Sequence, residues 1–132
     1  MKVRPTMTSA ALAGALTFAV VLPMGPVSLA GAATTTKKPD VAAGKKYYLA
    51  SCASCHGKDA RGLPKLGKNL ITSVFTRKLK DPDLAKFIKV GRTASEKGNT
   101  TGVAMPPKGG NPALSDANIA DIVAYVRSLQ KK

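Results

Sequence analysis

The pentapeptide Cys52-Ala53-Ser54-Cys55-His56 gathers the chain's only two cysteines and its only histidine. Two thiols separated by two residues can reach the two vinyl groups along one edge of a haem. The histidine that follows can turn back beneath the porphyrin and offer a ring nitrogen to the iron. Three other chemistries use similar residues. A structural zinc site takes four nitrogen or sulfur ligands, and this chain supplies three, all within five residues. A thioredoxin-like pair calls for a strand just upstream within a βαβ pattern, which the sequence does not display. A disulfide across two residues is geometrically tight and leaves His56 without a role. Attachment of one haem c through Cys52 and Cys55, with His56 on the iron, uses all three side chains.

A six-coordinate iron takes a second axial ligand opposite His56. Histidine is excluded by count. Of the four methionines, Met1, Met7 and Met24 fall in a stretch that reads as a secretory signal. There Lys2 and Arg4 precede an apolar core over 10–22, and Ala30-Gly31-Ala32 fits a small-residue cleavage site. The core is shorter than the ~18–20 residues of a spanning helix, and Pro23, Gly25 and Pro26 stop its extension. Residues 1–33 are therefore expected to be removed, with an uncleaved membrane anchor as the alternative. A flexible leader over 34–39 and one domain over 40–132 would remain, outside the cytoplasm and in a periplasmic setting. Met105 is then the one thioether left, in a loop stiffened by Pro106 and Pro107. A lone methionine is often core filler, and lysine is an alternative ligand at high pH. The loop setting favours Met105 on the iron, where a thioether raises the potential relative to nitrogen ligands.

The net charge is +14. Loss of Lys2 and Arg4 leaves 19 basic against 7 acidic residues. Nucleic acid is the ordinary partner of such a charge, but the chain has no Trp and few other aromatics to stack on bases, and an exported protein rarely meets it. An acidic redox protein, a respiratory complex or an anionic membrane surface fits better, with the field steering encounter. A solvated lysine coat serving solubility alone is the plain alternative. The domain is small enough to bury only a modest core by itself, so a covalently held haem would act as its staple.

The elements that must position these residues follow from pattern. Asp40 caps a first helix with Val41, Gly44, Tyr48 and Cys52 on one face, ending at the haem motif. Residues 56–69 read as loop, and 70–79 as a short helix carrying Leu70, Ile71, Val74 and Phe75. Asp81-Pro82-Asp83 starts a helix, with Asp81 as cap and Pro82 first, whose Leu84, Phe87 and Ile88 face inward and which Gly91 ends. A long loop spans 92–112. Ser115 caps a last helix with Ile119, Ile122, Val123, Val126 and Leu129 as its apolar stripe.

With the haem motif near one end, Met105-Pro106 near the other and a closing helix Ile119-Ala120-Asp121-Ile122-Val123-Ala124-Tyr125-Val126, the chain resembles the class I c-type cytochromes, small and monohaem, over about residues 40–130. The resemblance implies an all-α fold, three to five short helices wrapped around one covalently attached haem, with the N- and C-terminal helices crossing. It matches Gly44 and Tyr48 to the first helix of that crossing, and Ile122 and Tyr125 to the last. It implies that the Pro64 carbonyl accepts the His56 Nδ1–H, that Leu66 touches the haem, and that Arg92 pairs with a haem propionate. It implies a monomeric electron carrier, not an enzyme. Lys58, Lys65 and Lys108 lie close in sequence to Cys55 and the Met105 loop and are candidates to rim the docking site. A gas-binding haem protein or haem enzyme would lack the firm sixth ligand, and no second histidine is present to serve as a distal acid–base group. A permanent electron-transfer subunit of a respiratory or dehydrogenase complex is the other reading.

Overall fold

A computed structural model describes residues 37–131. The expected signal segment and the start of the leader lie outside the described residues. The helices are α1 (Val41–Ser51), α2 (Ala53–His56), α3 (Val74–Lys78), α4 (Asp81–Val90) and α5 (Asp116–Gln130), with a 3₁₀ turn at Pro107–Gly110. Among the described residues β structure is limited to two isolated antiparallel bridges, Leu63 with Gly67 and Arg92 with Met105.

Helix α1 starts because the Asp40 carboxylate accepts hydrogen bonds from the Ala42 and Ala43 N–H groups at 2.8 and 3.1 Å. These bonds hold the Asp40 carboxyl below its ordinary pKa. Asp40 also donates its own N–H to Asp121 Oδ1 at 2.7 Å, which ties the head of α1 to α5. The two helices cross where α1 has no side chain. A Cβ on Gly44 would overlap the Asp121 carbonyl and come within 3.1 Å of the Ile122 nitrogen. Tyr48, fully buried one turn on, packs on Tyr125 with ring centroids 5.3 Å apart. Its hydroxyl donates to the Gly57 carbonyl at 2.8 Å, so the crossing is bonded directly to the end of the haem motif. Burial pushes the Tyr48 phenol well above its usual range. Ile119, Ile122, Val123 and Val126 complete the core with Leu84 and Ile88 of α4.

Two boundaries differ from the sequence reading. The helix expected over 70–79 occupies only Val74–Lys78. Asn69 Oδ1 accepts the Ile71 and Thr72 N–H groups at 2.8 and 3.0 Å, a local turn that competes with helix. Ser73 then caps the shortened helix by accepting the Thr76 N–H. In α4 the cap is Lys80, with Asp81 already helical. The Asp81 carboxylate instead takes the Arg127 Nε at 2.8 Å. Arg127 also donates to the Thr76 and Leu79 carbonyls and to Gln130 Oε1, so one α5 side chain closes α3 and α4 against it. Ser115 caps α5 as expected, in a reciprocal box with Asn118.

Candidate haem site

Between the end of α1 and the 92–111 segment lies a cleft of about 450 Å³, in the range of cofactor sites. Cys52, Cys55, His56, Leu66, Arg92 and Met105 all line it. Residues from opposite ends of the sequence thus meet at one place, as the haem reading requires.

The chain enters this cleft through α2, a single turn that follows α1 without a side-chain cap. Both cysteines are partly buried. His56 Nδ1 lies 2.9 Å from the Lys68 carbonyl. That acceptor places the ring proton on Nδ1 and leaves the Nε2 lone pair for a metal.

The acceptor is Lys68, not Pro64. Pro64 is exposed and sits in a turn in which the Leu63 and Gly67 N–H groups bond each other's carbonyls at 3.1 and 3.2 Å. Lys65, at φ 59°, completes the reversal. Pro64 therefore shapes the turn that returns the chain beneath the histidine, and Lys68 supplies the oxygen. The sequence offers no mark on Lys68, because every residue type presents a carbonyl and the turn geometry decides which one meets the ring.

Met105 is held by its backbone. Its N–H donates to the Arg92 carbonyl and its carbonyl accepts the Arg92 N–H, each at 2.8 Å. Gly91, at φ 75°, makes the corner into this bridge, and a Cβ there would come within 2.9 Å of Pro106 and Pro107. Asn111 donates to Ser51 Oγ at 3.1 Å, which fastens the far end of the methionine segment to the residue before Cys52. Lys108 is not a free rim cation: its Nζ donates to the Leu114 and Pro112 carbonyls at 2.8 and 3.2 Å. Arg92 lies in the cleft wall, but protein acceptors take its Nε and one terminal nitrogen: Glu96 at 3.3 Å and the Gly98 carbonyl at 3.1 Å.

The polar loop before Met105 is organised by Asn99. Its amide donates to the Thr93 and Val103 carbonyls, and its oxygen accepts the Thr101 and Gly102 N–H groups. Asn99, Lys97, Phe75 and Phe87 line the cleft and were not singled out as site residues from sequence. Asn99-Thr100-Thr101-Gly102 carries a turn signal that would have found the first of them. Phe87 was expected to face inward; it does, but into the cleft.

The donor set fits a haem. Two sulfurs, an imidazole anchored through Nδ1, a thioether and largely apolar walls converge, whereas no group of three or more His, Cys, Asp or Glu among the described residues is arranged to hold a bare metal ion. The sequence model of the Cytochrome c family matches residues 41–130. The chain belongs to the cytochrome c family.

Its relatives agree. Cytochrome c-555 of Chlorobaculum thiosulfatiphilum is 43% identical over 89 residues, covering 66% of this chain and 93% of that one. Cytochrome c-555 of Prosthecochloris aestuarii is 39% identical over 90 residues, covering 66% and 85%. The cbb3-type cytochrome c oxidase subunit CcoP of Rhodobacter capsulatus is 34% identical over 93 residues, but these are only 28% of its length. No solved structure matches the chain. This is a class I c-type cytochrome with one haem c attached through Cys52 and Cys55, and it is a monohaem electron carrier rather than an enzyme.

Proposed function

We propose that this cytochrome is an exported, monomeric shuttle whose iron is held by His56 Nε2 and the Met105 thioether, and which docks acidic redox partners at the cleft mouth. The observation that carries the reading is the convergence of the Nδ1-anchored His56 and the backbone-bridged Met105 on one cleft. The haem supplies a one-electron Fe(III)/Fe(II) couple. The protein's part is to keep both ligands in place through the change. The Lys68 carbonyl fixes the imidazole ring, and the Arg92 bridge fixes the methionine strand. His56 and Met105 would hold the iron, and because the protein presets both side chains, little of the protein would rearrange when the haem is reduced or oxidised.

The mouth of the cleft suits a transient contact. Lys68 and Lys97 line it, and Lys58 and Lys65 stand exposed on the turn between His56 and Lys68. Among the described residues no acidic one lines it. Among the described residues, the ion pairs involve Arg61, Lys89, Arg92 and Arg127, so these four lysines keep their charge for a partner. A group of unpaired lysines around the cleft fits an acidic surface that binds and leaves quickly.

The signal-like 1–33 segment and the covalent haem motif support export to the periplasm. Among the described residues no helix is long and apolar enough to cross a membrane. A permanent oxidase subunit is the weaker reading, since the match to CcoP covers a minor part of that protein while the match to cytochrome c-555 covers nearly all of it. Stopped-flow reduction and oxidation with an acidic partner protein, run from low to high salt, tests the docking. The rate constants fall as ionic strength rises. Rates indifferent to salt would rule out a lysine-steered encounter.

A further inference from the structure

Arg92 sits at a junction. Its Cζ lies 4.5 Å from the ring centroid of Phe75 on α3 and 4.8 Å from that of Phe87 on α4. The two rings are themselves 5.0 Å apart and close to edge-on, at 67°. The guanidinium therefore rests against both aromatic groups at once. Its fork reaches the other way, to Glu96 Oε1 at 3.3 Å and the Gly98 carbonyl at 3.1 Å in the loop that walls the cleft. The side chain is only 17% exposed, against 47% for Glu96. The backbone of the same residue makes both bridge bonds to Met105. One residue thus joins two helices and the cleft loop to the backbone of the methionine.

We propose that Arg92 is the positioning residue for Met105, and that its stack on Phe75 and Phe87 keeps the thioether presented to the iron. The proposal rests on Met105 ligation. The geometry explains why arginine serves here. A guanidinium lies over both rings while its N–H groups donate in fixed directions to Glu96 and Gly98; an ammonium is a point charge and cannot do both. Glu96 balances the charge, so the contribution lies in fixing the strand rather than in a cation beside the iron. Bridge bonds alone tie Met105 to a strand. The stack ties that strand to α3 and α4.

Imidazole displacement measures how firmly the methionine is held. The matured ferric protein is titrated with imidazole while the weak far-red absorption of a sulfur-to-iron bond is followed. Arg92→Lys lowers the imidazole concentration for half-displacement about tenfold, the size of a lost partly buried cation–π contact. Phe75→Leu gives a smaller drop, and Phe75→Tyr, which keeps the aromatic face, restores wild-type behaviour. Phe75 lies outside the buried core, so its variants keep the fold; retained far-ultraviolet helicity and sharp reduced bands check this for every variant. Half-displacement at the wild-type imidazole concentration in both Arg92→Lys and Phe75→Leu would overturn the proposal while leaving Met105 as ligand. A far-red band absent from the wild-type protein would overturn the ligand assignment and this role together.

Discussion

Gly44→Ala is the substitution whose outcome the structure fixes most firmly. In an isolated helix it would help: glycine in a helix interior costs about 0.5–1 kcal/mol relative to alanine. At the crossing, the new methyl overlaps the Asp121 carbonyl and stands 3.1 Å from the Ile122 nitrogen. Both obstacles are backbone, and a Cβ has no rotamer by which to avoid them. Carbon–carbon contacts settle near 3.5–4.0 Å, so α5 must back away by on the order of 1 Å. That shift loosens the Tyr48–Tyr125 contact and the packing of Ile122, both in the centre of the core. Overpacking of this kind costs about 1–3 kcal/mol, and the absence of any escape puts it at the upper end. After the propensity gain, a net loss of roughly 2 kcal/mol remains. For a domain of this size that lowers Tm by about 10 °C. Thermal unfolding of the ferric protein, followed by far-ultraviolet circular dichroism, reads the shift. Because Tyr48 bonds Gly57 at the end of the haem motif, the far-red band fades at the same lowered temperature. A Tm equal to or above wild type would refute the argument, since it would mean that the helix propensity term wins and the crossing is not tight.

Other outcomes follow from the same contacts. Tyr48→Phe removes a buried hydroxyl and leaves the Gly57 carbonyl without its donor, so stability falls by about 1–3 kcal/mol in chemical denaturation; an unchanged midpoint would show that the bond carries no stability. The Asp40 carboxyl has its pKa lowered by the Ala43 and Ala42 N–H groups. Its contribution is therefore full above the unfolded carboxylate range and is lost as pH falls through the lower folded value. Asp40→Asn keeps an acceptor at the cap but removes that titration, so the Tm gap between wild type and variant is largest at neutral pH and closes in acid. A gap independent of pH would contradict the assignment.

The sequence and the structure agree where a residue's chemistry is carried by its side chain. Cys52, Cys55, His56 and Met105 stand out because sulfur and imidazole are scarce here, and all four line one cleft. Gly44, Tyr48, Ile122 and Tyr125 were matched through family resemblance, and the crossing is built from them. The misses have a common cause. The acceptor for His56 is a backbone carbonyl, which residue type does not mark, and the family resemblance points to Pro64 where the structure has Lys68. Lys108 is close in sequence to Met105, but the chain folds back to offer its ammonium two carbonyls. The short α3 and the Lys80 cap were misjudged because Asn69 and Asp81 had several partners open to them. Asn69 took a local turn with Ile71 and Thr72, and a tertiary contact from Arg127 claimed Asp81.

In the carrier proposed above, His56 and Met105 together hold the iron. The absorption spectrum and reduction potential of the matured protein beside Met105→Ala read this most directly. The wild type is expected to show sharp low-spin bands and a weak far-red ferric band, with the variant losing that band, falling in potential and gaining affinity for carbon monoxide when ferrous. A wild-type protein that is high-spin, or that binds carbon monoxide as readily as the variant, would contradict it.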